Sequence, residues 1–200
     1  MLKFMWVVAF GTVLAASCSA RAQQPVFDFG DFDPTALMSG TEDIVRRAPD
    51  SSIDSLFQAV HASAQIPDEA RTICRLFQPD ADRSVEGFSR AANQLGESSR
   101  ERFISAIADI AVAGLQGQPQ PYDATAARQA LKSAGARAAI LHEGFVAGLT
   151  AAGSDEASRE SRCRSLRWML ESLRTQPLVE RAAATRLLLS EGLSRMNATR

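Results

Sequence analysis

The clearest indication of fold class lies in residues 98–122, which read SSRERFISAIADIAVAGLQGQPQPY. Ser98 and Glu101 have the spacing of a capping box, which predicts that a helix starts there. Apolar residues then recur at helical spacing, namely Phe103, Ile104, Ile107, Ile110, Ala111 and Leu115. One glycine and two prolines follow within residues 116–122, where they predict a linker. The segment therefore predicts a long apolar helix that ends at a break.

Helical periodicity of the same kind continues through most of the chain after residue 50. Helix starts are indicated at Pro67 and at Ser154, each followed by acidic residues that suit the first turn of a helix. A further helix is indicated by Ile140, Leu141, Phe145 and Leu149. No segment alternates apolar and polar residues as a strand does. We therefore predict an all-α fold, a single-domain antiparallel bundle of about eight helices over residues 51–200.

A weak internal echo at an offset of 78 residues relates the helix pair around Leu95 to the pair around Leu173. One interpretation is that the domain consists of two similar helical halves, residues 51–116 and 123–200, joined at the predicted linker. The alternative is that any two helix pairs rich in leucine and alanine would match this well.

The first 22 residues are predicted to be a signal peptide. Lys3 precedes an apolar stretch of 13 residues, 4–16, which is too short to span a bilayer as a helix because a span takes about 20 residues. Ala20-Arg21-Ala22 has the small-x-small pattern of a cleavage site. We expect cleavage after Ala22 and a periplasmic or secreted protein. No second long apolar run follows, so no transmembrane segment is predicted.

Cys18 supports an alternative, anchored form of the chain. Residues 14–18, LAASC, resemble a bacterial lipoprotein box, whose pattern has a Leu-like residue three positions before the Cys. Ala15 occupies that position in this chain, and Leu14 stands one place too early. The resemblance implies a lipid anchor at Cys18, as the alternative to cleavage after Ala22.

Two cysteines remain in the predicted helical domain, Cys74 and Cys163. In an exported chain such a pair predicts a disulfide, which requires Cα atoms about 4.4–6.8 Å apart. The bridge closes a loop of about 90 residues, and the chain-entropy model gives it about 4–5 kcal/mol of stabilisation. The alternative is two separate buried thiols. His61 and His142 stand far from the cysteines in sequence, so neither a metal site nor any other cofactor is predicted.

Residues 23–50 are predicted to form a flexible acidic and aromatic N-terminal arm. Three phenylalanines, Phe27, Phe29 and Phe32, alternate there with aspartates. One interpretation is that the phenylalanines anchor the arm in a groove of this protein or of a partner. The alternative is a disordered leader whose phenylalanines fold back on the core.

Charge and aromatic content indicate a protein partner rather than nucleic acid. The net charge is −1 and 20 of the 22 cationic residues are Arg, so the chain lacks the basic excess that a general nucleic-acid binder needs. Trp168 lies opposite the helix face that carries Cys163, with Arg164 one turn before it and Arg167 beside it. Trp and Arg are enriched at interface hot spots, so these residues form a candidate interface. The alternative is that another helix or the arm covers Trp168.

The sequence contains no recognisable catalytic constellation. His142-Glu143 is half of a metalloprotease motif, but Val146 stands where the second His belongs. The leading hypothesis is a non-enzymatic protein-binding module, which neutralises a partner as an immunity protein does or assists envelope assembly. One alternative is a hydrolase of envelope polymers with Glu97, His142 or Glu143 as acid or base. Another is a carrier of a small apolar ligand in a cavity between helices.

Overall fold

Nine α-helices make up the described part of the chain, which comprises residues 34–82 and 84–198 of a computed structural model. In chain order they are α1 (Pro34–Arg47), α2 (Asp50–Gln65), α3 (Pro67–Leu76), α4 (Val85–Asn93), α5 (Glu97–Gln116), α6 (Ala124–Leu141), α7 (Phe145–Leu149), α8 (Glu156–Arg174) and α9 (Leu178–Ala198). No strand occurs within those two ranges, and the predicted all-α class is confirmed. None of the nine helices is long and apolar enough to cross a membrane.

Helix α1 occupies residues 34–47, which lie inside the region predicted as a flexible arm. Val45 in this helix and Ala48 just after it are buried in an apolar cluster with residues of α2, α5 and α9. This burial stabilises a helix that the sequence pattern did not indicate, so residues 34–47 belong to the folded bundle. The predicted signal peptide, Cys18 and the three arm phenylalanines Phe27, Phe29 and Phe32 lie outside the described residues.

Helix α2 is the central element, since it packs against α3, α5, α8 and α9. One apolar cluster joins it to α3, α6, α8 and α9 through Phe57, Ile73, Ala134, Leu170, Leu173 and Ala184. A second cluster joins α1, α2, α5 and α9 through Val45, Ile53, Ile110 and Ala182. Helix α9 contacts α1 and α2 as well as α6. The two predicted halves are therefore interleaved in one compact unit from Pro34 onward.

The start of α5 differs from the predicted capping box. The helix begins at Glu97 with Gly96 as its N-cap. The Gly96 amide donates a hydrogen bond to Glu69 Oε1 on α3 at 3.0 Å, and the Ser98 hydroxyl accepts one from Arg102 at 3.0 Å. The prediction of a Ser98 cap is therefore wrong, because a carboxylate from another helix satisfies the backbone at this end.

The predicted disulfide is confirmed. Cys74 on α3 and Cys163 on α8 are bridged, with Cα atoms 5.1 Å apart and a sequence separation of 89 residues. The covalent loop contains α4, α5, α6 and α7. Helices α1, α2 and α9 lie outside it, so noncovalent contacts alone hold them in the bundle.

A buried arginine fastens α9 to the N-terminal helices. Arg186 is only 2% exposed. Its guanidinium donates hydrogen bonds to the Val45 carbonyl, to the Ala48 carbonyl at 3.1 Å and to the Asp50 carboxylate at 2.7 Å. The two carbonyls lie at the C-terminal end of α1, where the helix offers no backbone donors. Arg186 therefore caps α1 from across the fold and joins it to the start of α2.

Candidate functional site

Trp168, the centre of the predicted interface, is half-buried on α8 and stacks on a second ring. The His142 imidazole lies parallel to the indole, with ring centroids 4.6 Å apart and an interplanar angle of 2°. The guanidinium carbon of Arg164 is 5.6 Å from the indole centroid, which is within cation–π range. Trp168 is therefore covered in part by one side chain and remains accessible to solvent.

His142 is positioned by the turn that joins α6 to α7. It is the C-cap residue of α6, and its amide donates to the Ala138 carbonyl at 2.9 Å. Gly144 follows with φ of +82°, a left-handed conformation that glycine adopts without steric cost. Helix α6 packs against α8, so its C-terminal end carries the imidazole to the indole.

Helix α7 packs closely on α8 just after this turn. Phe145 is buried, and its carbonyl accepts a hydrogen bond from the Ser165 hydroxyl at 2.9 Å. Gly148 lies so near α8 that an added Cβ would be 2.6 Å from the Ser161 carbonyl oxygen. Glycine is needed at this position because a side chain would push the two helices apart.

Four aliphatic side chains on either side of the turn are exposed. Ile140 is 84% exposed, and Leu141, Val146 and Leu149 are more than half exposed. The sequence pattern predicted that Ile140, Leu141, Phe145 and Leu149 form one buried helix face, but only Phe145 is buried. Helix α6 instead buries a row of four alanines, Ala127, Ala130, Ala134 and Ala138. We define the Trp168 surface by Ile140, Leu141, Val146, Leu149, Arg164 and Trp168.

Arg164 adds a positive charge to the Trp168 surface. Its side chain is exposed and belongs to none of the salt bridges found there. Arg167 is half-buried, and its Nε is buried without a hydrogen-bond partner among the described atoms. Arg174, by contrast, is paired with Glu171 at 2.6 Å.

A histidine–carboxylate pair that the sequence did not predict lies between α2 and α8. His61 Nε2 is 2.8 Å from Glu171 Oε2. Hydrogen bonds from Arg174, and secondarily from His61, lower the pKa of Glu171 to about 2 against the opposing effect of burial. A carboxyl with such a pKa is ionised at neutral pH and cannot donate a proton as a general acid. The sequence separation of 110 between His61 and Glu171 explains why no local pattern indicated the pair.

The residues considered for hydrolysis lie outside two depressions found in the described surface. The two depressions have volumes of about 170 and 440 Å³. The larger is an open groove between α2 and α5 lined by His61, Arg102 and Asp109 among others. Glu97, His142 and Glu143 line neither depression. These two hollows also offer no enclosed apolar cavity of the kind a ligand carrier uses.

Metal chemistry and similarity to other proteins add no further indication of activity. Among the side chains described, no group of three or more His, Cys, Asp or Glu could hold a metal ion. No protein-family model, curated protein or solved structure matches this chain. A functional conclusion must therefore come from the surface geometry.

Proposed function

We propose that this chain is an exported, non-enzymatic protein-binding module and that the Trp168 surface is its contact face. The observation that carries the proposal is that four large aliphatic side chains are exposed on either side of the turn that places His142 on the half-buried Trp168, together with an arginine that forms no salt bridge in the described ranges. Extended apolar exposure of this kind is uncommon on monomers and marks interaction sites. Tryptophan and arginine are the residues most enriched at binding hot spots.

The partner that fits this surface is a protein with apolar side chains and at least one carboxylate. Fully burying a large aliphatic side chain stabilises a complex by about 1.5–3 kcal/mol before the entropic cost of association. Arg164 favours an acidic group opposite it, and a bidentate arginine–carboxylate pair would fix the orientation of the complex. The expected partner is therefore a periplasmic protein with an acidic and apolar contact face, which this module either neutralises or helps to assemble.

Export is supported by two independent features. The first is the predicted signal peptide of residues 1–22. The second is the Cys74–Cys163 disulfide, since disulfides persist mainly in oxidising compartments such as the periplasm.

The binding face is tested by comparing proteins retained from periplasmic extract by the wild type and by two surface variants. Val146→Asp and Arg164→Glu change exposed side chains and leave the core intact. A partner should be retained by the wild type, and its affinity for purified variants should fall at least tenfold. Phe88→Ala is the matched control because Phe88 is an exposed hydrophobic residue on α4. The proposal fails if both variants retain every protein that the wild type and the control retain.

Export is tested separately by mass spectrometry of the protein isolated from cells. A chain that begins at Gln23 and is found in the periplasmic fraction is the expected result. A lipid-modified chain that begins at Cys18 would establish the anchored alternative. An unprocessed chain in the cytoplasmic fraction would refute export without bearing on the binding face.

A further inference from the structure

Helix α5 exposes an apolar face that the bundle does not cover. Ile104, Ile107, Val112 and Leu115 are between 57 and 71% exposed, with the exposed Ala108 and the half-exposed Ala111 between them. At about 100° per residue these six positions form one continuous face about 140° wide. We define the α5 stripe by Ile104, Ile107, Ala108, Ala111, Val112 and Leu115.

The opposite side of α5 is apolar as well and provides its contacts with the bundle. Ala106, Ile110 and Gly114 are buried, and α5 packs against α1 and α2. Gly114 allows a close crossing, since an added Cβ would lie 2.7 Å from Cγ2 of Ile44 on α1. Helix α5 is thus apolar on two opposite faces, and Arg102, Ser105 and Asp109 occupy the sector between them. A second apolar face of this width is usually covered in a folded protein or in a complex. The α5 stripe therefore has the character of a surface that a further element covers.

The α5 stripe contains no charged side chain. Asp109 is the one charged residue between positions 104 and 115, and it lies about 130° around the helix from the centre of the stripe. It lines the groove between α2 and α5. Arg100 and Glu101 stand beyond the N-terminal end of the stripe. Covering the stripe would therefore remove apolar area from water without desolvating a charge.

We propose that the α5 stripe binds the same stripe of a second copy of this chain, with the two helices antiparallel. A twofold interface requires a patch that is complementary to itself. The α5 stripe meets this requirement because its order of side-chain sizes is the same from either end. Two large aliphatic residues are followed by two alanines and then by two large aliphatic residues. Alignment about the midpoint of Ala108 and Ala111 places Ile104 opposite the partner's Leu115 and Ile107 opposite the partner's Val112. The alanines meet at the centre, where small side chains permit a short interaxial distance.

Charge distinguishes the antiparallel arrangement from a parallel one. In a parallel pair Glu101 would face the partner's Glu101 and Arg100 would face the partner's Arg100, and both contacts are repulsive. The antiparallel alignment separates the two Glu101 positions by 17 residues along the helix axis, which is about 25 Å. Each charged end then lies beside the uncharged residues 116–119 of the other copy.

The area of the α5 stripe sets the expected strength of the dimer. The four large side chains offer on the order of 300–400 Å² per copy, against about 800 Å² per partner in a standard interface. The dimer should therefore be weak, with a dissociation constant on the order of tens to hundreds of micromolar. The proposal concerns a surface distinct from the Trp168 surface and does not depend on the proposed function.

The oligomeric state is measured by sedimentation equilibrium of the purified chain from about 5 μM to 1 mM, a range that spans the expected dissociation constant. The apparent mass of the wild type should rise toward twice the monomer mass. Ile107→Asp and Leu115→Asp should stay monomeric throughout. Val179→Asp is the matched control, because Val179 is a similarly exposed aliphatic residue on α9; it should dimerise as the wild type does. Circular dichroism verifies that each variant is folded.

The register is tested by cross-linking mixtures of variants that each carry one added cysteine, with a short thiol-specific reagent and with the Cys74–Cys163 disulfide kept oxidised. Ile104→Cys mixed with Leu115→Cys should form cross-linked pairs at least fivefold more than either variant alone. A monomeric wild type at 1 mM would overturn the proposal, as would a dimer that survives both aspartate substitutions. Cross-linking that is stronger within each variant alone would overturn the antiparallel arrangement. Val146→Asp should leave the dimer intact, so failure of the proposed function and failure of the dimer are separable.

Discussion

Arg186→Ala is expected to lower the free energy of unfolding by about 3–5 kcal/mol. The substitution removes the donors to the Val45 and Ala48 carbonyls, and both of these residues are buried. Each buried carbonyl left without a donor costs about 1–3 kcal/mol. Asp50 contributes less, because its side chain is 35% exposed and can be hydrated when its partner is removed. The two carbonyls and the void left by the side chain together give the expected value.

The measurement is urea unfolding followed by far-ultraviolet circular dichroism, with the free energy obtained by linear extrapolation. Arg46→Ala is the matched control, since Arg46 is an exposed arginine on α1 paired with Asp43 at 2.6 Å. Surface pairs contribute about 0–1 kcal/mol, so the control should lose no more than that. Arg186→Lys should fall between the two, because lysine keeps the charge and loses the planar fork of donors. A loss for Arg186→Ala as small as that of the control would refute the reasoning.

Three further predictions follow from the disulfide, from Glu171 and from two glycines. Replacing both Cys74 and Cys163 by alanine should lower the free energy of unfolding by about 4–5 kcal/mol. Calorimetry under oxidising conditions should then show a Tm lower by roughly 10–15 °C. An unchanged Tm would contradict the disulfide. The pKa of Glu171 is about 2 in the folded chain, below the ordinary value of 4.5. The ionised carboxylate therefore stabilises the fold fully above about pH 4.5. This stabilisation is lost as the pH falls from 4.5 to about 2. Urea unfolding at a series of pH values should therefore show a smaller acid destabilisation for Glu171→Gln than for the wild type, and identical profiles would argue against the ion pair. Gly148→Ala should destabilise by about 1–3 kcal/mol because its Cβ meets α8, whereas Gly192→Ala, with nothing within 4 Å, should stabilise α9 by about 0.5–1 kcal/mol in the same assay.

The features that could be predicted from the sequence are those set by local chemistry. Pro67 is the first residue of α3, as its missing N–H and the following acids indicate. The helix start indicated at Ser154 is one residue before the observed N-cap of α8, Asp155, whose side chain accepts a hydrogen bond from the Ser158 amide at 2.9 Å. The Cys74–Cys163 pairing followed from counting, because an exported domain with two cysteines has only one way to pair them.

The features that could not be predicted depend on contacts between residues far apart in the chain. Glu69 replaces the capping box of α5 from 27 residues away. Nothing in the local sequence distinguishes Arg186 from a solvent-exposed arginine, because its contacts with α1 form only in the folded bundle. Asp54 and Arg181 form a largely buried pair at 2.7 Å across 127 residues, in which the Asp54 hydrogen bond raises the pKa of Arg181.

The candidate surfaces were predicted only in part, for a related reason. Arg164 and Trp168 could be recognised by residue type and spacing. The stacking partner His142 and the exposed aliphatic residues could not, because apolar periodicity does not distinguish a face that meets the core from one that meets solvent. In α5 both faces are apolar, and the sequence alone does not show which of them the bundle buries.

The position of the disulfide determines what a single cut in the chain would do. The segment 117–123 connects α5 to α6, and Gln118, Pro119 and Pro121 in it are exposed. It lies between Cys74 and Cys163, so a protease that cuts within it would leave two polypeptides joined by the bridge. The nicked molecule would keep its mass under non-reducing electrophoresis and separate into two fragments only after reduction. Covalent continuity between the two sides of this connection therefore does not depend on its peptide bonds.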